Sequence, residues 1–329
     1  MKKRLILLII MLLVLVVIPV GLIGLMSSEA GSHWLLRTVF YVLPAQVSVA
    51  TMEGRLLDRI AFTDFHYQTD TEKIDIDDLA FAWQPYGLLS GAVKIADVVI
   101  NGLNMRVIDT KKPQEKSNFD LTAELKLPVQ IIVENFLLTD MQFQKGDFVQ
   151  TLEKLQITLA TEGDQLKIKA MNLDAWPISV TVQGQLTLGK SFPFSLKLDW
   201  LVNAEQNGLW QGSTTIAGDI TKLTFDNYLS SPFNVVLKGE LDDLQTAPRI
   251  TARANWTKMV WPVTGPAPQV KSELGTIELA GLLDDYKIKL NGQLTQQYLP
   301  EATLLFKGNG SQSALSIEKL ELKSKTGMF

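Results

Sequence analysis

The chain contains no cysteine and only two histidines, His33 and His66, in 329 residues. The first absence removes thiolate nucleophiles, zinc–thiolate sites and disulfide scaffolds. The second leaves metal centres and histidine-based triads little to build from. A basic footprint is also lacking. Lys2, Lys3, Arg4 and Glu29 fall within the first 30 residues, so the remainder carries 28 basic against 34 acidic side chains, a formal net charge of about −6. That balance argues against a nucleic-acid surface. Together these absences point away from an enzyme, and no cofactor or metal is expected.

Apolar side chains are abundant instead, at 46% of residues with a mean hydropathy of +0.12. Much of the excess sits in Leu5–Met26, a run of 22 residues without a charge. At 1.5 Å per residue a helix of that length spans about 33 Å, matching a hydrocarbon core of about 30 Å. The competing reading is a cleaved secretory signal, since Ser28-Glu29-Ala30 loosely fits a small-x-small site. Signal cores run to about 15 residues, and the greater length here favours an uncleaved anchor. Three cations before the run put the N-terminus in the cytoplasm and the bulk of the chain outside it, in the periplasm of a bacterium. The expected organisation is a cytoplasmic tip and anchor over residues 1–30, a short helix over 31–46, and a periplasmic β region over 47–329. Gly31-Ser32 is expected to cap that helix through His33–Leu43, with Pro44 stopping it.

Beyond Val47 the hydrophobic period becomes two. Ile74 and Ile76, then Leu79, Phe81 and Trp83, alternate with Asp75, Asp77, Ala80 and Ala82. The alternation recurs in Leu103-Met105-Val107, Val129-Ile131-Val133, Phe192–Trp200, Phe233–Leu237, Ile250–Trp256 and onward to Leu320-Leu322. Strands with one dry face and one wet face belong to antiparallel sheets. The fold class is therefore mostly β: a transmembrane helix, one short helix, and an elongated, bent antiparallel sheet. A five-residue pattern, apolar-x-Gly-x-apolar, overlies it at Gly184, Gly218, Gly239, Gly281 and Gly292, with a partial copy at Gly308. Glycine within a strand permits a close approach or a sharp bend. The alternative, strand-end glycines in an ordinary sandwich, fits the pattern equally. Lys111–Asn118 and Thr264–Pro268 read as exposed loops. The chain stops in mid-pattern at Leu320–Phe329, which suggests a truncated chain.

Some apparent chemistry dissolves on inspection. Gly184–Ser191 satisfies the phosphate-loop spelling G-x-x-x-x-G-K-S, but Leu186–Leu188 and Phe192–Leu196 are strand alternations, not a loop and a helix. Asp75, Asp77 and Asp78 lack the glycine and distal glutamate of a calcium loop. His66, between Phe65 and Tyr67, reads as structural.

Residues 5–107 carry an ordered set of features: the anchor, the helix closing at Leu43-Pro44, Glu53-Gly54-Arg55-Leu56-Leu57, Phe62-Thr63-Asp64-Phe65, Ile74–Pro85, Leu88–Ile95 and Gly102–Val107. In order and spacing this set resembles the N-terminal portion of the TamB family of AsmA-like envelope proteins. The resemblance implies a taco-shaped β groove, anchored in the inner membrane, that carries phospholipids between the inner and outer membranes. It also implies a second role in a translocation and assembly module with an outer-membrane β-barrel partner of the TamA type, through a C-terminal region absent from these residues. On this reading the groove is lined by Ile74, Ile76, Leu79, Phe81, Trp83, Leu103, Met105, Val107, Val129, Ile131 and Val133. Acyl chains would slide along these side chains, with neither catalytic residue nor cofactor. A passive, membrane-tethered sandwich is the remaining alternative.

Overall fold

A computed structural model describes residues 21–108, 129–265, 269–296, 299–311, 313–324 and 327–328. Most of the expected anchor, residues 5–20, and the expected loop Lys111–Asn118 lie outside the described residues. No helix among the described residues is long and apolar enough to cross a membrane. The chain divides after Thr161 into two compact units, each described by itself.

In the first unit, a helical stretch over residues 21–27 breaks at Ser28, and helix α1 follows at Glu29–Val42. The helix starts earlier than the spacing predicts. Ser28, not Gly31-Ser32, is its N-cap, with Oγ accepting from Gly31 N at 3.1 Å. Gly31 and Ser32 are buried where α1 meets the preceding turn of helix. Leu43, the residue before Pro44, is extended and closes the helix as expected.

Strands β1 (Gln46–Ser48) and β2 (Thr51–Gly54) both pair with β3 (Arg59–Gln68), which pairs with β4 (Glu72–Gln84). A 3-10 turn, Pro85–Ser90, leads into β5 (Ala92–Val107), followed by β6 (Gln130–Lys145) and β7 (Phe148–Glu162). One expectation fails here. β5 and β6 pair in parallel, from Ala92↔Gln130 to Val107↔Lys145, while the other described pairings are antiparallel. Alternation reports that one face of a strand is dry; it carries no information on the direction of the neighbour.

The faces are kept in phase by a crease. Asp64, Gly102 and Asp140 have positive φ of 49°, 68° and 53°. Interpolated between the paired residues on either side, they share one row with Asp77 and Glu153, a row missing from every pairing from β3 to β7. A left-handed residue reverses the alternation, and Asp and Gly tolerate that conformation best. Phe62 and Phe65, on either side of Asp64, consequently face the same way, and Phe40 of α1 packs against both with ring centroids 6.3 Å away. At Gly102 a Cβ would collide with the carboxylate of Asp77, so glycine is required there.

The second unit is an antiparallel meander. Its strands are β8 (Gln165–Ala175), β9 (Ile178–Thr187), β10 (Phe194–Asn203), β11 (Leu209–Gly218), β12 (Leu223–Ser231) and β13 (Asn234–Asp242). They continue as β14 (Arg249–Trp261), β15 (Val270–Leu282), β16 (Asp285–Gln296), β17 (Leu299–Gly310), β18 (Leu315–Ser324) and β19 (Gly327–Met328). Each pairs with its successor. Gly184–Ser191 lies on the β9–β10 hairpin, with strands on both sides.

Aromatic rings account for several glycines. Trp256 pairs with Gly275, which pairs with Gly292, and the indole lies across both. Its Nε1 donates to Ser272 Oγ at 2.8 Å. In the same way Trp200 covers Gly212, Phe225 covers Gly239 and Tyr286 covers Gly310, each on a directly paired strand. Gly184, Gly218 and Gly281 instead bring the next strand's backbone close. The opposite face is charged. Asp226, Lys238, Arg253, Glu278, Lys289, Lys307 and Lys319 form one continuous row across seven strands.

Candidate functional site

The first unit presents one apolar and one polar face, and the registers assign side chains to each. On the apolar face Tyr67, Ile74 and Met105 form one row, and Phe65, Ile76 and Leu103 the next. Across the crease follow Phe62, Leu79, Ile100 and Leu138, then Ile60, Phe81, Val98 and Phe136. Trp83, Ile95, Val133 and Leu159 end the series, with bulges after Ala82 and after Val133 holding them in phase.

The structure thus places Ile74, Ile76, Leu79, Phe81, Trp83, Leu103 and Met105 together, and Val107 continues the β5 parity. Ile131 and Val133 join the face at its other end. The parallel register slides them beside Val93 and Ile95, level with Trp83, and the β6 residue beside Met105 is Phe143. Val129 immediately precedes β6. Ile95, Val98, Ile100, Phe136, Leu138 and Phe143 belong to the same face and were not singled out from sequence. The runs Val98-Val99-Ile100 and Phe136-Leu137-Leu138 are apolar on both parities, which hides the alternation, and the bulges shift its phase.

Burial distinguishes this face from a closed core. Ile60, Phe62, Ile76 and Leu138 are buried, whereas Ile74, Leu79, Phe81, Trp83, Leu103, Met105, Ile131 and Val133 are only half-buried. Two sheets packed as a sandwich would bury both inner faces. The second unit repeats the condition: Ala252, Ala254 and Trp256 are buried, while Val235, Leu237, Ile277, Leu279, Ile288, Leu290 and Phe306 on the same face are half-buried.

The reverse face of the first unit is a ladder of side-chain hydrogen bonds. Thr139 donates to Asn101 Oδ1 at 2.9 Å, and Asn135 to Asp97 Oδ1 at 2.7 Å. Arg106 donates to Gln144 Oε1 at 3.1 Å. Asp75 sits between His66 Nδ1 at 2.6 Å and Lys73 Nζ at 2.8 Å. Partial burial pushes the Asp75 carboxyl up, but the bonds and charges of Lys73 and His66 outweigh it and hold the carboxyl below its ordinary value. Asp75 and Asp78, which accepts from Asn101 Nδ2 at 3.4 Å, are thus held on a hydrogen-bonded wet face.

Among the described residues the site is an apolar face backed by a polar one, and no group of His, Asp or Glu side chains there could hold a metal ion. A family model for the N-terminal domain of TamB matches residues 16–143 and 116–329, two overlapping matches that together span nearly all of the chain. No solved structure matches it. The chain belongs to the TamB family, and its residues correspond to the N-terminal domain.

Proposed function

We propose that the chain is the inner-membrane end of a lipid conduit: an anchored periplasmic β segment that carries phospholipids between the inner and outer membranes. The observation that supports this reading is the half-buried apolar face, from Ile74 and Met105 to Trp83 and Val133, backed by a polar reverse face. Ile74 to Trp83 extends about 30 Å at about 3.3 Å per residue. An acyl chain on this face removes methylenes from water at about 0.8 kcal/mol each, and the in-phase crease lets it slide without crossing a polar row. Headgroups stay in water at the margin. The mechanism needs no catalytic residue and no cofactor.

Phe81→Asp and Leu103→Asp test it, since both side chains are half-buried and an acidic group there interrupts the track. Phospholipid delivery to the outer membrane should fall severalfold in either variant while the protein remains folded, with Asn104→Asp as the polar-face control. Delivery equal to the parent's would mean that lipid does not travel on this face.

A further inference from the structure

The helical stretch that ends the apolar run is gripped by the sheet. Met26 O accepts from Leu57 N at 3.2 Å and from Ser32 Oγ at 3.0 Å. Ser32, wholly buried, in turn accepts from Leu56 N at 3.0 Å. Leu56 O accepts from Trp83 Nε1 at 2.6 Å, and Trp83 N donates to Asp58 O at 3.2 Å. Gly31 completes the clamp: a Cβ there would lie 2.8 Å from Leu25 Cα and 2.7 Å from Ser28 Oγ. The end of the apolar run is therefore tied, through the turn at residues 55–58, to the C-terminal end of β4.

Immediately beyond that end, the 3-10 turn Pro85–Ser90 displays Tyr86 at 82%, Leu88 at 49% and Leu89 at 89% exposure. Consecutive exposed leucines beside a tyrosine form an apolar projection that water solvates poorly. A concavity of about 600 Å³ is lined by Ser27, Trp83, Tyr86, Lys94 and the ion pair of Arg55 with Asp58, 2.7 Å apart.

We propose that the turn Pro85–Ser90 is a second membrane contact, with Leu88 and Leu89 entering the bilayer leaflet in which the apolar run ends. Tyr86 then sits at headgroup level, where amphipathic rings concentrate, and Lys94 faces lipid phosphates, while Arg55 is held by Asp58. The proposal rests on the reading of residues 5–26 as an anchor. The occupant is a bilayer because the turn is continuous with that anchor: Ser27, one residue past the run, shares a concavity with Tyr86, and each interfacial layer is about 5–8 Å thick. Seated in this way, the first unit brings the Trp83, Ile95 and Val133 end of its apolar face to the membrane surface. Acyl chains then enter at that end.

The absence of cysteine makes the test direct, because each introduced cysteine is unique. The full chain is reconstituted in phosphatidylethanolamine–phosphatidylglycerol vesicles containing brominated acyl chains, with an environment-sensitive fluorophore at Leu89→Cys, Leu15→Cys or Asp147→Cys. Asp147 lies in the β6–β7 turn, about 50 Å along β6 from the clamp. Emission at Leu89 should shift to the blue and be quenched at least twofold, as at Leu15, with Asp147 unquenched. Quenching at Leu15 without quenching at Leu89 overturns the membrane contact and leaves the anchor standing. Absence of quenching at both overturns the anchor reading and the contact with it. Tyr86→Cys repeats the measurement at a second exposed position of the turn.

Discussion

Phe62 and Phe65 are three residues apart on one strand, yet their rings lie 6.2 Å apart and both contact Phe40. Residues at that spacing point to opposite faces of a regular strand. Asp64, at φ 49°, makes the difference, and Gly102 and Asp140 repeat it two and three strands away. The crease joins two apolar patches into one face.

Asp64→Val should therefore destabilise the chain by about 1–2 kcal/mol, the cost of holding a branched residue in the left-handed region. Asp64→Gly should be neutral or slightly stabilising. Urea midpoints read by tryptophan fluorescence distinguish the two, and equal losses in both would mean that the Asp64 side chain, not its backbone conformation, matters.

The Trp256 ring occupies the space above Gly275. Gly275→Ala should cost about 1–3 kcal/mol through overpacking against the indole. Adding Trp256→Leu should make the second change nearly free, because the obstruction is gone. Additive losses in the double variant would show that Gly275 is needed for its backbone instead.

Lys289, Lys307 and Lys319 stand side by side on β16, β17 and β18, and Lys307 has no ion pair among the described residues. Like charges placed directly opposite repel, so Lys307→Glu should stabilise by about 0.2–1 kcal/mol. The gain should shrink in 1 M salt, where the screening length is about 3 Å.

Asp75 sets a pH dependence. Its carboxyl is held below the ordinary value in the folded chain, so it contributes stability above a pH of about 4 and loses it as pH falls through the folded-state value. Asp75→Asn should lower the unfolding midpoint at pH 7 and flatten its fall below pH 4. A parent-like acid limb in the variant would assign that loss to other carboxylates.

The strands and their dry faces were legible because alternation at Ile74–Trp83 and Ile250–Trp256 is a direct imprint of one-sided burial. The switch of parity between Ile76 and Leu79 was legible too, though not its cause, which is a conformation repeated on neighbouring strands. The parallel partnership of β5 and β6 left no trace in either strand, so which β5 residues stand beside Ile131 and Val133 was not legible. The purpose of Gly239 and Gly292 was equally hidden, since the rings that cover them, Phe225 and Trp256, lie 14 and 36 residues earlier. Long-range pairing decides what a glycine faces, and a local pattern does not contain it.

The central claim is that lipid occupies one face of the first unit and not the other. A photo-reactive side chain at Phe81, Met105 or Phe143, and at Asp78, Asn104 or Gln142, measures this in cells with radiolabelled phospholipid. Irradiation should yield lipid adducts at the first three positions and none at the second three. Adducts on both faces, or on neither, would contradict the conduit.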